Sequence, residues 1–250
     1  MRIDVKSIIL VFLMITMSLA NSAYFEVPQP LEEKENPREV IVPLSSANIP
    51  GFQEGSIYTN TTLSSGDVHS CALLDSGYIT CWGTNNEGRL GDGTITNRFT
   101  PAQTSSLGTG RTAVAISSGG SQTCAILDNG SVSCWGANNY GQIGDGTTTN
   151  RNIPTQTTSL GTGRTAVAIS SSGMQTCAIL DNGSVSCWGD NSYGQLGDGT
   201  TTNRNIPTQT TSLGVGRIAV AISSGLFHTC AILDDGSVSC WGQNSYGELG

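Results

Sequence analysis

Residues 113–165 read as short apolar segments separated by polar turns. AVAISS, TCAIL and SVSCW are brief, alternating and rich in β-branched residues, which predicts three strands, and IPTQTTSL supplies a plausible fourth. No window across this stretch keeps apolar residues at helical spacing without a Gly or Ser breaking the run, so helix is disfavoured.

The pattern then returns. Cysteines stand at 71 and 81, 124 and 134, 177 and 187, 230 and 240, so both series advance by 53 residues each time. The copies occupy residues 56–112, 113–165, 166–218 and, in part, 219–250. A fixed period of this length points to a solenoid or propeller, in which each unit buries its faces against its neighbours. Four strands per unit make one propeller blade, so the expected fold is all-β, built of four-stranded antiparallel sheets.

The turn between TCAIL and SVSCW decides which residues face each other. It reads Asp128-Asn129-Gly130 in the second copy, Asp75-Ser76-Gly77 in the first and Asp234-Asp235-Gly236 in the fourth, so of the two residues at its tip only the Gly persists. That fits a three-residue loop with Gly in the left-handed region. Leu127 then pairs with Ser131, Ile126 with Val132, and Cys124 with Cys134. The cysteines fall at a non-hydrogen-bonded site, where the Cα separation of roughly 4.5 Å lies inside the range a disulfide accepts.

Composition and charge narrow the function classes. The 250 residues include 32 Gly, 8 Pro and only 12% charged residues, room for one large domain or two small ones. Net charge is −8, from 19 acids against 11 bases, and both lysines, Lys6 and Lys34, sit near the N-terminus. The clustered cations of a nucleic-acid groove are missing, so no nucleic-acid partner is expected.

Arg2 and Lys6 precede the apolar run Ile8 to Met17, followed by the small residues Ser18, Ala20, Ser22 and Ala23. This is the pattern of a secretory signal peptide over residues 1–23, cleaved after Ala20, Ser22 or Ala23. An uncleaved N-terminal anchor is the alternative and the one membrane contact expected; a span wants roughly 20 apolar residues. Residues 24–55, rich in Pro and Glu and without a sustained period, read as an extended linker. Export to the periplasm, cell surface or medium makes oxidised cysteines physically allowed. All eight cysteines are then accounted for as four cross-strand pairs, Cys71–Cys81, Cys124–Cys134, Cys177–Cys187 and Cys230–Cys240; small buried thiols packed between blades are the other reading.

CAILDNGSVSCWGANNYGQIGDG and its counterparts CALLDSGYITCWGTNNEGRLGDG and CAILDDGSVSCWGQNSYGELG resemble the repeat of the regulator of chromosome condensation family. The resemblance covers residues 56–250. It is carried by the Trp-Gly pairs Trp82-Gly83, Trp135-Gly136, Trp188-Gly189 and Trp241-Gly242, each followed by a glycine-spaced GQLG-type element. The family implies a β-propeller, usually of seven blades, that presents loops to a protein partner. The chain supplies about three and a half such repeats, and Gly250 falls inside the motif, so an incomplete chain is expected.

The best-known activity of the family is nucleotide exchange on a Ran-type GTPase in the nucleus. The signal-peptide pattern, the lack of a basic tail and the 12 acids against 7 arginines from Gly66 onward point away from it. Exported prokaryotic relatives look closer, among them a propeller that inhibits β-lactamase by covering its active site. The expected function is therefore a non-catalytic scaffold for an unknown protein ligand or for adhesion. Exchange on a small GTPase is the rival, and an enzyme with its site in further blades the remoter one.

Candidate chemistry is sparse. His69 and His228 each lie two residues before a cysteine, but Gln122 and Gln175 hold the equivalent places, so a structural role is expected rather than a metal. Asp92, Asp145 and Asp198 open polar loops without the alternating carboxylates of a calcium site, and read as turns. Gly161-Thr162-Gly163-Arg164-Thr165 lacks the lysine and spacing of a phosphate loop and reads as a connector. Asn60, Asn129 and Asn182 satisfy a glycosylation sequon, the last two in turns that favour Asn anyway. No Ser/His/Asp or paired-carboxylate set stands out, and no cofactor is expected.

The second and third copies differ at seven positions, five of which, 119, 121, 137, 139 and 143, belong to the segments entering TCAIL and leaving SVSCW. Those strands are antiparallel, so both segments emerge at one rim, opposite the DNG turn. Ser121, Ala137 and Asn139 become Met174, Asp190 and Ser192, and Leu226, Phe227 and Gln243 stand in the last copy. Loops on a rigid scaffold are where recognition is usually placed. Tyr140, Tyr193 and Tyr246 join this candidate rim, since an aromatic ring offers contact area at little entropic cost; loop packing is their competing role.

Overall fold

The computed structural model describes residues 62–211 and 213–250. The signal-peptide and linker expectations, the start of the first repeat and the Asn60 sequon lie outside them.

Each repeat is an antiparallel sheet whose strands are neighbours in sequence order. The first holds β1 (Thr62–Ser65), β2 (His69–Leu73), β3 (Ile79–Gly83) and β4 (Arg98–Gln103). The second holds β5 (Ala113–Ser118), β6 (Gln122–Leu127), β7 (Val132–Gly136) and β8 (Arg151–Gln156). The third holds β9 (Ala166–Ser172), β10 (Gln175–Leu180), β11 (Val185–Gly189) and β12 (Arg204–Gln209). The fourth is three-stranded, with β13 (Ala219–Ser224), β14 (His228–Leu233) and β15 (Val238–Gly242). IPTQTTSL contributes only its first part, since β8 starts at Arg151 and ends at Gln156. The described residues contain no helix, and so none long and apolar enough to cross a membrane.

The hairpin register is the one the turn dictates. Leu127 N donates to Ser131 O and Gly130 N to Leu127 O, both at 2.8 Å, and Gly130 sits at φ +76°. Ile126 faces Val132 and Cys124 faces Cys134. In all four repeats the facing cysteines are 4.1 Å apart at Cα with their sulfurs at disulfide distance. One residue further, the β7–β8 register slips between Cys134 and Gly136, so Trp135 occupies a bulge; the same slip recurs at Trp82 and Trp188.

The core lies between sheets rather than within them. Trp135 of the second sheet joins a cluster with Cys71, Ile79 and Leu90 of the first, and Trp188 of the third joins Cys124, Val132 and Ile143 of the second. Buried polar groups are matched across the same seams. Thr123 Oγ1 donates to Arg89 O at 3.0 Å, Thr176 Oγ1 to Gln142 O at 3.1 Å and Thr229 Oγ1 to Gln195 O at 2.9 Å. On the outer strand Asn152 Nδ2 donates to Gly93 O, and Gly93 N returns a bond to Asn152 O. Each repeat thus finds in the next the partners it lacks alone, the physical basis of a repeat architecture.

Candidate functional site

The β5–β6 turn and the β7–β8 loop leave the second sheet at one rim, and their counterparts do so in every repeat. The longer loop is organised by a buried asparagine. Asn138 Nδ2 donates to Asp145 Oδ1 and to the carbonyls of Thr147 and Thr149, while its Oδ1 accepts from Ile143 N. Asn85 and Asn191 repeat this set. Sequence reasoning passed over these residues because an Asn in a polar loop looks like any turn Asn; its recurrence in phase was the available signal.

Asp145 closes the same loop. Its carboxylate accepts from Thr147 N and Oγ1 and pairs with Arg151 at 2.6 Å. Burial alone would raise its pKa, but the Thr147 bonds and the Arg151 guanidinium outweigh that and hold it below the ordinary carboxylate value. Asp92 and Asp198 are lowered in the same way by Thr94 with Arg98 and by Thr200 with Arg204. These aspartates brace a loop, as the turn reading expects.

Of the rim candidates, Asn139, Tyr140, Met174, Tyr193, Leu226 and Tyr246 are exposed, and Ser121, Phe227 and Gln243 are half-buried. Two are corrected: Ala137 and Asp190 are each only 4% exposed. The side chain at this position points under the loop, so Asp190 spends its carboxylate on Ser192 Oγ at 2.6 Å and Gln195 Nε2 at 2.9 Å. Ile143 and Leu196 are likewise core residues, and Thr162 and Thr165, the remaining variable positions, lie on the β8–β9 connector at the opposite rim.

The structure brings part of the set together. Tyr193 and Phe227, from neighbouring repeats, have ring centroids 5.0 Å apart at 50°. Leu226 lies against Gly173, the residue before Met174. An apolar patch of Met174, Tyr193, Leu226 and Phe227 therefore spans the third and fourth repeats. Val68, exposed and one period before Ser121, was missed; the 53-residue offset pointed to it.

Below the rim the His/Gln position stitches repeats together. Gln122 Nε2 donates to Gln175 O at 3.0 Å, Gln175 Nε2 to His228 O at 3.2 Å, and His69 Nε2 lies 2.8 Å from Thr123 Oγ1. Burial, with the Arg89 cation adding to it, pushes the His69 pKa down to about 4. Among the described residues no group of three or more His, Cys, Asp or Glu could hold a metal.

On the opposite rim the connector reading of Gly161 to Thr165 fits: Arg164 pairs with Asp181 at 3.2 Å across to the hairpin turn, as Arg111 does with Asp128. Asn129 and Asn182, both exposed, accept from the hydroxyl and amide of Ser131 and Ser184.

Profiles of the regulator of chromosome condensation (RCC1) repeat match residues 76–126, 129–179 and 182–232, and a second profile of that repeat matches 61–89, 113–142, 165–195 and 219–248. The ultraviolet-B receptor UVR8 of Arabidopsis thaliana is 31% identical over 185 residues, covering 74% of this chain and 41% of the receptor. The E3 ubiquitin-protein ligase HERC2 of Homo sapiens is 33% identical over 186 residues, covering 74% of this chain and 4% of the ligase. This chain thus spans well under half the length of these relatives. Among solved structures, human WBSCR16 superposes with a TM-score of 0.66 at 24% identity, covering 76% of this chain and 49% of that one. Prp20p of Saccharomyces cerevisiae superposes at 0.63 with 22% identity over 76% of this chain and 45% of its own, which adds a likeness of fold. With the repeat matched in phase along most of its length and its sheets stacked as in these propellers, the chain belongs to the regulator of chromosome condensation repeat family.

Proposed function

We propose that this chain is an exported, non-catalytic propeller scaffold whose loop rim binds a protein partner. The observation that carries the reading is the patch of Met174, Tyr193, Leu226 and Phe227. It is apolar, with Tyr193 on the loop that Asn191 holds from within and with Met174 and Phe227 at a position where the otherwise near-identical repeats differ. Amphipathic aromatic anchors on a rigid support are what a protein interface uses. Export is supported by the Arg2, Lys6 and Ile8 to Met17 pattern and by four cysteine pairs at disulfide distance.

The test is affinity capture from the culture fluid and envelope fraction of the source organism, comparing wild type with the double variant Tyr193→Ser/Phe227→Ser. A protein retained by the first and lost by the second, at unchanged thermal unfolding, is the expected result; equal retention would remove the rim from the account.

Nucleotide exchange is the second reading, favoured by the fold shared with Prp20p, a protein that binds Gsp1p and histones. Faster release of labelled GDP from a small GTPase on adding this chain would put exchange in place of the scaffold reading.

A further inference from the structure

At three seams a cysteine pair is brought together by one repeat and covered by the next. Cys124 and Cys134 face each other within the β6–β7 hairpin, 10 residues apart, so their approach needs nothing beyond that hairpin. Their cover comes from elsewhere. Both are 0% exposed and cluster with Ala178, Leu180 and Trp188 of the third repeat. The Thr176 hydroxyl, 52 residues on, lies 3.7 Å from Cys124 Sγ.

The same division recurs on either side. Cys71 and Cys81 cluster with Leu127 and Trp135 of the second repeat, Cys177 and Cys187 with Ala231 and Leu233 of the fourth, and all four cysteines are 0% exposed. The Thr123 and Thr229 hydroxyls lie 3.8 Å and 3.9 Å from the Cys71 and Cys177 sulfurs.

This burial has a chemical consequence. A disulfide forms or breaks when a thiolate attacks a sulfur, so both directions need access to the sulfur. Apolar surroundings also disfavour the attacking thiolate relative to the neutral thiol. With the following repeat stacked, these sulfurs meet neither oxidant nor reductant except when the seam opens.

We propose that each of these three pairs is oxidised before the following repeat stacks on it, and that stacking then seals the bond. The reaction that supplies the stacked chain is thiol–disulfide exchange with the disulfide of an oxidant. The Cys124 thiolate, its proton lost to solvent, attacks one sulfur of the oxidant and expels the other as a thiolate, leaving a mixed disulfide. The Cys134 thiolate, deprotonated in the same way, attacks the Cys124 sulfur and expels the oxidant's remaining sulfur. The chain gives up two protons and two electrons, and the oxidant's disulfide becomes a pair of thiols. None of the rim residues takes part, so the order holds whether or not the rim binds a partner.

Two measurements on the 250-residue chain test this. In the first, oxidised protein is treated with a water-soluble phosphine, in native buffer and in urea that unfolds it, then alkylated and mapped by mass spectrometry. The three links should open about a hundredfold more slowly in native buffer, at the rate at which seams open. Leu180→Ala thins the cover of Cys124–Cys134 and should speed the opening of that link while Cys71–Cys81 stays protected. Leu180→Val is the milder change if the first variant fails to fold.

In the second, the reduced, unfolded chain is diluted into native buffer with oxidised glutathione present from the start, or added once tryptophan fluorescence has reached the value of the oxidised protein. The three links should form about tenfold faster in the first case. A reduced chain whose fluorescence never reaches that value would itself place oxidation before stacking. Links that open as fast in native buffer as in urea would overturn the proposal. So would equal rates of formation in the two dilutions once that fluorescence has been reached.

Discussion

Gly144 of the second repeat lies flat against the indole of Trp188 in the third: a Cβ placed on it would come within 2.8 Å of the ring nitrogen, and its φ of +77° is in the left-handed region. Gly91 with Trp135 and Gly197 with Trp241 repeat the contact. The glycine-spaced element after each Trp-Gly pair is therefore the seat for the tryptophan of the following repeat.

Gly144→Ala should cost about 3 kcal/mol in denaturant unfolding, from left-handed strain together with the clash against a packed ring. Gly163→Ala is the control: it shares a positive φ of +69° but meets nothing within 4 Å, so it should cost only about 1–2 kcal/mol. Equal losses in the two variants would mean that Trp188 does not rest on Gly144.

Asn138→Ala removes the buried hub of the β7–β8 loop and leaves Ile143 N and two carbonyls without their partner. A loss of about 2–3 kcal/mol is expected, with faster amide exchange at Ile143. Unchanged exchange there would show that the loop does not depend on the asparagine.

Stability should fall with acid in two stages. His69 is held neutral in the fold, with a pKa near 4 against 6.5 when unfolded, so the unfolded chain binds the extra proton between those values. The contribution, about 3 kcal/mol at most, is whole above pH 6.5 and is lost as pH falls toward 4. Asp92, Asp145 and Asp198 are depressed carboxylates, so their contribution is whole above the ordinary value of 3.8 and is lost only below it. His69→Gln, the residue found at 122 and 175, should flatten the first stage and leave the second. A urea midpoint that falls between pH 6.5 and 4 equally in both proteins would contradict the assignment.

How much of this was legible in the sequence follows from range. The strands, the three-residue turn and the facing cysteines were readable because each depends on about ten consecutive residues, printed four times with small variations at Ser76 and Asp235. The loop hub was not, because Asn138 finds partners as far away as Thr149 and Asn150, and nothing in a single Asn announces that. Variation between copies was a fair guide to exposure at Met174 and Tyr193's neighbours but misled at Ala137 and Asp190, where the side chain is buried in both repeats and the aspartate is bonded to Gln195. The apolar patch itself needed the structure, since Tyr193 and Phe227 meet across a seam between repeats.

Replacing Cys124 and Cys134 together by Ala should cost roughly 2–3 kcal/mol, because the link closes a short loop. The loss should vanish when both proteins are compared under reducing conditions. A difference of the same size under reduction would place the effect in packing of two buried side chains rather than in the bond.

The claim on which the fold and the export reading both depend is that each repeat folds as its own cross-linked hairpin, in the register set by its turn. Peptide mapping of the non-reduced protein, recovered from outside the cytoplasm of its own host, tests it most directly. The account predicts four links, Cys71–Cys81, Cys124–Cys134, Cys177–Cys187 and Cys230–Cys240, with no free thiol. A link between repeats, or fully reduced cysteines in that material, would contradict it.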